Sequence, residues 1–164
     1  MAILDHWFGP DGLNLDKNQF LYWNMDNEPD IWNGTHDDVM DELLPASEFM
    51  DRFIEVAKKA RAKFPEIKIC GPVTTSEWQW YKWGDESIRI NGKYYCWFEY
   101  FIKRCADEEK ASGIRVLDVF DIHHYPYAPT DNDALQNHRI FYDMDYIYPG
   151  ANGCLLYTSD AADE

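Results

Sequence analysis

Apolar and polar positions along this chain follow two periods. Residues 20–26, Phe-Leu-Tyr-Trp-Asn-Met-Asp, form an aromatic-rich run that predicts a strand, and Pro29 just beyond stops it. Between 47 and 64 the apolar residues Phe49, Phe53, Val56, Ala57, Ala60 and Phe64 recur at helical spacing, with Lys58, Lys59, Arg61 and Lys63 on the remaining positions. Ser47 is the expected N-cap, Glu48 and Asp51 suit the first turn, and Pro65 ends the helix. Residues 67–71, Ile-Lys-Ile-Cys-Gly, predict a second strand. Residues 96–112 predict a second helix, with Trp97, Phe98, Phe101, Ile102 and Cys105 on one side and Gly113 just behind. Residues 115–123 predict a third strand, nearly continuous in apolar character.

The order strand, helix, strand, helix, strand predicts an α/β fold with parallel strands and crossover helices. Nearly continuous apolar strands suit a sheet covered on both faces. In such folds the C-terminal ends of the strands share the face where ligands bind. The first strand leads into Asn27-Glu28-Pro29 and a loop with Trp32, Asn33 and His36. The second leads into a long loop with Thr74, Thr75, Glu77, Trp78, Trp80, Tyr81 and Trp83. The third ends in His123-His124-Tyr125-Pro126. A carboxylate, an amide, two imidazoles and several aromatic rings therefore converge on one face, the chemistry of a sugar-processing site.

Composition narrows the partners. Seven Trp, eleven Tyr and nine Phe suit stacking on sugar rings, although most of them are expected in the core. A formal net charge of -15 repels nucleic acid and anionic membranes, so neither is expected as a partner. The four cysteines form no Cys-x-x-Cys pair, and Cys70 and Cys105 are expected as buried free thiols. No run approaches the length of a membrane span, and residues 1–6 do not read as a signal peptide. Asp26 and Glu28 alternate along the strand and share a side, but a structural role is the better reading of Asp26. Asp121, His123 and His124 would also suit a metal. Hydrogen bonding is the preferred role of His123, and no metal or other cofactor is expected.

The segment Tyr22-Trp23-Asn24-Met25-Asp26-Asn27-Glu28-Pro29-Asp30-Ile31-Trp32, followed by Thr35-His36, resembles the acid/base segment of glycoside hydrolase family 44. The likeness continues through Ile69-Cys70-Gly71-Pro72, Tyr95-Cys96-Trp97-Phe98 and Leu117-Asp118-Val119-Phe120-Asp121-Ile122-His123-His124-Tyr125-Pro126. Asn-Glu-Pro alone is common among barrel glycosidases, whereas the extended pattern with the later His-x-Tyr-Pro is far more specific. The resemblance implies a (β/α)8 TIM barrel, of which this chain would hold about strands 4 to 6. It implies a retaining endo-β-1,4-glucanase acting on cellulose or xyloglucan, with Glu28 as general acid/base. By the same resemblance Asn27 bonds the sugar 2-hydroxyl, His123 and Tyr125 lie near the cleavage subsites, and Trp32 faces substrate. Of the loop tryptophans Trp78, Trp80 and Trp83, one or two are expected to stack on glucose rings and the others to pack the loop down, with Trp78 taken as the substrate-binding one. His124 departs from the pattern, which expects an aromatic residue there.

A larger departure is the family's nucleophile, a glutamate in a run like Ile-Thr-Glu-Tyr, which does not follow residue 126. Residues 154–164 read as a translated sequencing adapter, so residues 1–153 are expected to be the native portion of a truncated catalytic domain. Met1 is read as an internal methionine, and the parent enzyme as an extracellular monomer acting on β-glucan. Without its nucleophile the fragment is expected to be inactive. The alternatives are a xylanase or mannanase of the same clan, or a non-catalytic carbohydrate-binding module.

Overall fold

The computed structural model describes residues 2–125, 128–140 and 143–146. The chain divides after His124 into two units. The first carries α1 (Ala2–Phe8), β1 (Tyr22–Asn24), α2 (Trp32–Thr35), α3 (Ala46–Lys63), β2 (Lys68–Pro72), β3 (Arg89–Ile90), β4 (Lys93–Tyr94), α4 (Trp97–Ser112) and β5 (Val119–Asp121). The second carries α5 (Asp131–Ile140).

The first unit is α/β, as its sequence predicts. A three-stranded parallel sheet runs in the order β1-β2-β5, and Trp23 lies opposite Ile69 and Gly71 opposite Phe120. The helices α3 and α4 are the crossovers. Their aromatic rows meet over the sheet: Phe53 packs edge-on against Phe101 at 5.0 Å, and Phe98 against Phe120 at 4.8 Å. Trp83 and Trp97, both fully buried, join Phe49 in one cluster, with ring centres 4.4 Å apart for Phe49–Trp83 and 4.5 Å for Trp83–Trp97. Tyr22 and Asn24 are exposed, while Trp23 between them packs on the core, the alternation a strand imposes.

At Gly71 the sheet lies close under the aromatic rings of both helices. A Cβ there would stand 3.0 Å from Cε2 of Phe53 and 3.5 Å from Cζ of Phe101. Gly71→Ala is therefore expected to lower stability by about 1–3 kcal/mol through overpacking. A urea midpoint unchanged from wild type would contradict this.

Element ends differ from the sequence expectation for identifiable reasons. The first strand covers Tyr22–Asn24 instead of 20–26, because Phe20 closes a 3-10 turn onto Lys17 O at 3.1 Å and the ladder thins after Met25. The third covers Val119–Asp121 instead of 115–123. Helix α3 begins at Ala46, so Ser47 is not its N-cap. The Ala46 N–H instead donates to Glu86 Oε2 at 2.7 Å, a carboxylate brought by the chain 40 residues later. In α4 the expected first residue, Cys96, is the cap: its sulfur accepts from Glu99 N at 3.5 Å while Glu99 Oε2 accepts from Cys96 N at 3.2 Å. Gly113 ends that helix with a positive φ of 73°.

Arg61, one of the basic residues between the apolar positions of α3, is tied into the fold. Its guanidinium donates to Arg115 O, Pro65 O and Ile67 O and pairs with Asp118 Oδ2 at 2.5 Å. Asp118 Oδ2 also accepts from Ile69 N at 2.8 Å. Cys70 and Cys105 are buried free thiols, as expected, and burial pushes the Cys105 thiol up to about 12. Cys154 lies outside the described residues.

The sequence pattern predicted neither α1, nor the β3–β4 pair turning at Asn91-Gly92, nor α5. In the second unit, Thr130 opens α5: its Oγ1 accepts from Asp133 N at 3.2 Å and donates to Asp133 Oδ2 at 2.6 Å. The tail at 154–164 also lies outside the described residues.

Candidate active site

The site is built where β1, β2 and β5 end. Met25 N donates to Cys70 O at 3.2 Å, and after two further residues Glu28 N donates to Val73 O at 2.8 Å. Val73 N in turn donates to Asp121 O at 3.0 Å. Glu28 and Val73 both have left-handed backbones, with φ of 53° and 50°. That conformation is uncommon for side-chain-bearing residues and an outlier for a β-branched one. Such strain concentrates at functional sites, where the surrounding structure enforces it. Here it turns Glu28 out of the strand direction just before Pro29 opens a 3-10 turn over Pro29–Ile31.

Glu28 and His123, chosen separately from the sequence, meet directly. Nδ1 of His123 lies 2.9 Å from Oε1 of Glu28, and the two side chains are 24% and 23% exposed. The pair is thus partly shielded yet reachable by a ligand. From the loop after β2, Trp80 donates its indole N–H to His123 O at 3.3 Å, and its ring lies 5.6 Å from that of His124. Asn27 and Trp32 are also joined, the Trp32 indole N–H donating to Asn27 O at 2.9 Å. The Trp32 ring lies 5.4 Å from the His36 ring, and Thr35 Oγ1 is 3.0 Å from His36 Nδ1.

Two other sequence choices are well exposed. Trp78 is 76% exposed, and the tryptophan that reaches His123 is Trp80, two residues on. Tyr125 is 61% exposed and opens the second unit. Asp26 has the local role expected of it, accepting from Asn27 N at 2.7 Å. Asp121, a candidate metal ligand in the sequence, accepts from Asn24 Nδ2 at 3.0 Å.

Sequence reasoning passed over Asp30. It is 4% exposed, and its carboxylate accepts from Thr75 N at 3.0 Å and from Thr75 Oγ1 at 2.6 Å. Burial pushes its pKa up; the Thr75 hydrogen bonds act against that, and the charge of Glu28 adds to it. Only its place directly behind Asn-Glu-Pro would have flagged it.

A half-shielded carboxyl held by an imidazole at a strand end, flanked by an amide and indoles, suits proton transfer to a glycosidic oxygen. Comparison with known proteins gives the family. The profile of glycoside hydrolase family 44 matches residues 11–128. Endoglucanase A of Paenibacillus lautus is 29% identical over 65% of this chain and 15% of its own length. A β-mannanase/endoglucanase A of Caldicellulosiruptor saccharolyticus is 26% identical over 66% of this chain and 8% of its own length. The chain therefore spans only a small part of these relatives. Among solved structures, a family 44 xyloglucanase of Paenibacillus polymyxa with xyloglucan superposes with a TM-score of 0.66 at 24% identity, covering 85% of this chain and 30% of the other. A family 44 endoglucanase of Clostridium thermocellum gives 0.70 at 20% identity, covering 96% and 33%. With the family profile covering most of its length, this chain belongs to glycoside hydrolase family 44.

Proposed function

We propose that this chain is the acid/base-bearing portion of a retaining endo-β-1,4-glucanase, and that its sheet is a sector of a (β/α)8 barrel acting on cellulose or xyloglucan. The observation that carries this reading is the pairing of strand-end Glu28 with His123 at 2.9 Å. Family membership and relatives named for endoglucanase and xyloglucanase activity support it.

In the forward step Glu28 protonates the glycosidic oxygen as a second carboxylate attacks the anomeric carbon. In the second step Glu28 takes a proton from the water that releases the sugar. His123, protonated on Nδ1, donates to Oε1 and aims the carboxyl. The Asn27 amide bonds the 2-hydroxyl, and Trp32 and Trp78 offer rings to the glucan chain. A retaining enzyme needs its two carboxyls about 5–5.5 Å apart. Asp26 is exposed and caps Asn27 N, while Asp30 is buried on Thr75, so neither serves as the nucleophile. We assign that role to a later glutamate of the parent enzyme. A polymeric substrate cannot enter a cell, so the parent acts outside it.

The purified chain is therefore expected to release no reducing ends from carboxymethylcellulose or xyloglucan. Hydrolysis by this chain that disappears in Glu28→Ala would overturn the assignment of the nucleophile to another segment.

A further inference from the structure

We propose that Asp30 is a positioning residue for Glu28: by clamping Thr75, its carboxylate holds the loop after β1 in the one conformation that delivers Glu28 to His123. The proposal rests on Glu28 being the acid/base for its functional meaning, but its geometry stands independently.

The two segments leave the sheet in step. Backbone bonds run from Met25 N to Cys70 O and from Glu28 N to Val73 O, an advance of three residues on each side. The next inward donor after Val73 and Thr74 is Thr75 N. No backbone acceptor from the β1 side reaches it, because the chain has already turned at Pro29–Ile31 and Ile31 N has closed onto Glu28 O at 3.2 Å. Asp30 supplies the acceptor instead. Its Oδ1 and Oδ2 lie 3.0 and 3.3 Å from Thr75 N, and Oδ2 also takes the Thr75 hydroxyl at 2.6 Å. Three contacts thus fix a side chain that is 4% exposed.

Glu28 sits between these restraints. Its own N–H is held by Val73, and the residue two places on is held by Thr75. A left-handed non-glycine residue persists only where its surroundings over-determine it. The Val73 carbonyl and the Asp30–Thr75 clamp are those surroundings. Without the clamp the Pro29–Ile31 turn can relax, Glu28 returns toward an ordinary backbone conformation, and Oε1 moves away from His123. Burial of the Asp30 charge beside Glu28 is unfavourable in itself, as the upward push on its pKa records.

The test reads the His123 ring in the 15N-labelled chain by long-range 1H–15N correlation, which separates the two imidazole tautomers without requiring turnover. A hydrogen bond from Nδ1 to Glu28 selects the tautomer protonated there. Asp30→Ala and Thr75→Val are expected to reduce the Nδ1–H to Nε2–H ratio about fivefold, with circular dichroism unchanged. Asp30→Asn keeps an oxygen for Thr75 and is expected to stay within about twofold of wild type. A folded Asp30→Ala with the wild-type ratio would overturn the proposal. Unfolding of both Asp30→Ala and Thr75→Val would assign the clamp to general stability and overturn it equally. Because no activity is measured, failure here leaves the acid/base role of Glu28 standing, and the reverse holds for the kinetic test of that role.

Discussion

In the proposed parent glucanase, Glu28→Ala is expected to lower kcat/KM on xyloglucan by about 10²–10⁴-fold, the usual contribution of a positioned general acid/base. Two further results distinguish this role from a merely structural one. An aryl cellobioside with a strongly acidic phenol as leaving group needs no protonation, so its first step should be nearly unaffected by the substitution. The second step still needs a base to activate water, so the glycosyl-enzyme should accumulate. Added azide, a nucleophile that needs no base, should then restore turnover and yield a product of retained configuration. A uniform loss on both substrates with no effect of azide would remove Glu28 from this role. The physical ground is the 2.9 Å contact of Glu28 with His123. It fixes one carboxyl oxygen, while among the described residues the other takes no hydrogen bond.

Arg61→Ala is expected to lower the free energy of unfolding by about 3 kcal/mol, the scale for removing one partner of a buried ion pair. The guanidinium is 18% exposed and Asp118 is 9% exposed, so water replaces little of what is lost. Its removal leaves Asp118 as an inadequately compensated carboxylate and takes the partners from Pro65 O, Ile67 O and Arg115 O. These groups join the end of α3, the start of β2 and the approach to β5, and Asp118 also accepts from Ile69 N. Arg61→Lys retains charge but not the planar fork, and should recover only a minor part of the loss. Chemical denaturation followed by tryptophan fluorescence measures both. A cost below about 1 kcal/mol, the range of surface pairs, would show that the network is redundant.

These predictions differ in how far the sequence alone led to them. Glu28 and His123 were chosen from the chain because each follows an apolar run, and strand ends share one face in parallel α/β folds. The periodic apolar face of α3 gave its core side in large part: Phe53, Ala57 and Ala60 are buried, whereas Val56 is exposed and Met50 and Ile54, outside the chosen set, are buried. The partners of Arg61 were not legible because helical periodicity describes direction but not length. A long side chain on the flank of a helix can bend back under its C-terminal end. Ser47 was misplaced as a cap because a local rule cannot know that Glu86 arrives from 40 residues away. Trp78 and Trp80 were indistinguishable in a loop with no period, and only their settings, one in solvent and one against Phe98 and His123, separate them.

What the sequence determined by itself is the α/β class, the parallel order of its strands, most of each helix face that forms the core and the family to which the chain belongs. All of these rest on short-range periodicity or on contiguous motifs. Only the tertiary structure decided that Glu28 and His123 touch, that Glu28 and Val73 are left-handed, and that Asp30 closes on Thr75. The reason is physical: the two side-chain contacts join residues 95 and 45 positions apart. Such contacts depend on where the sheet ladder stops, and that follows from the packing of whole elements rather than from any local run.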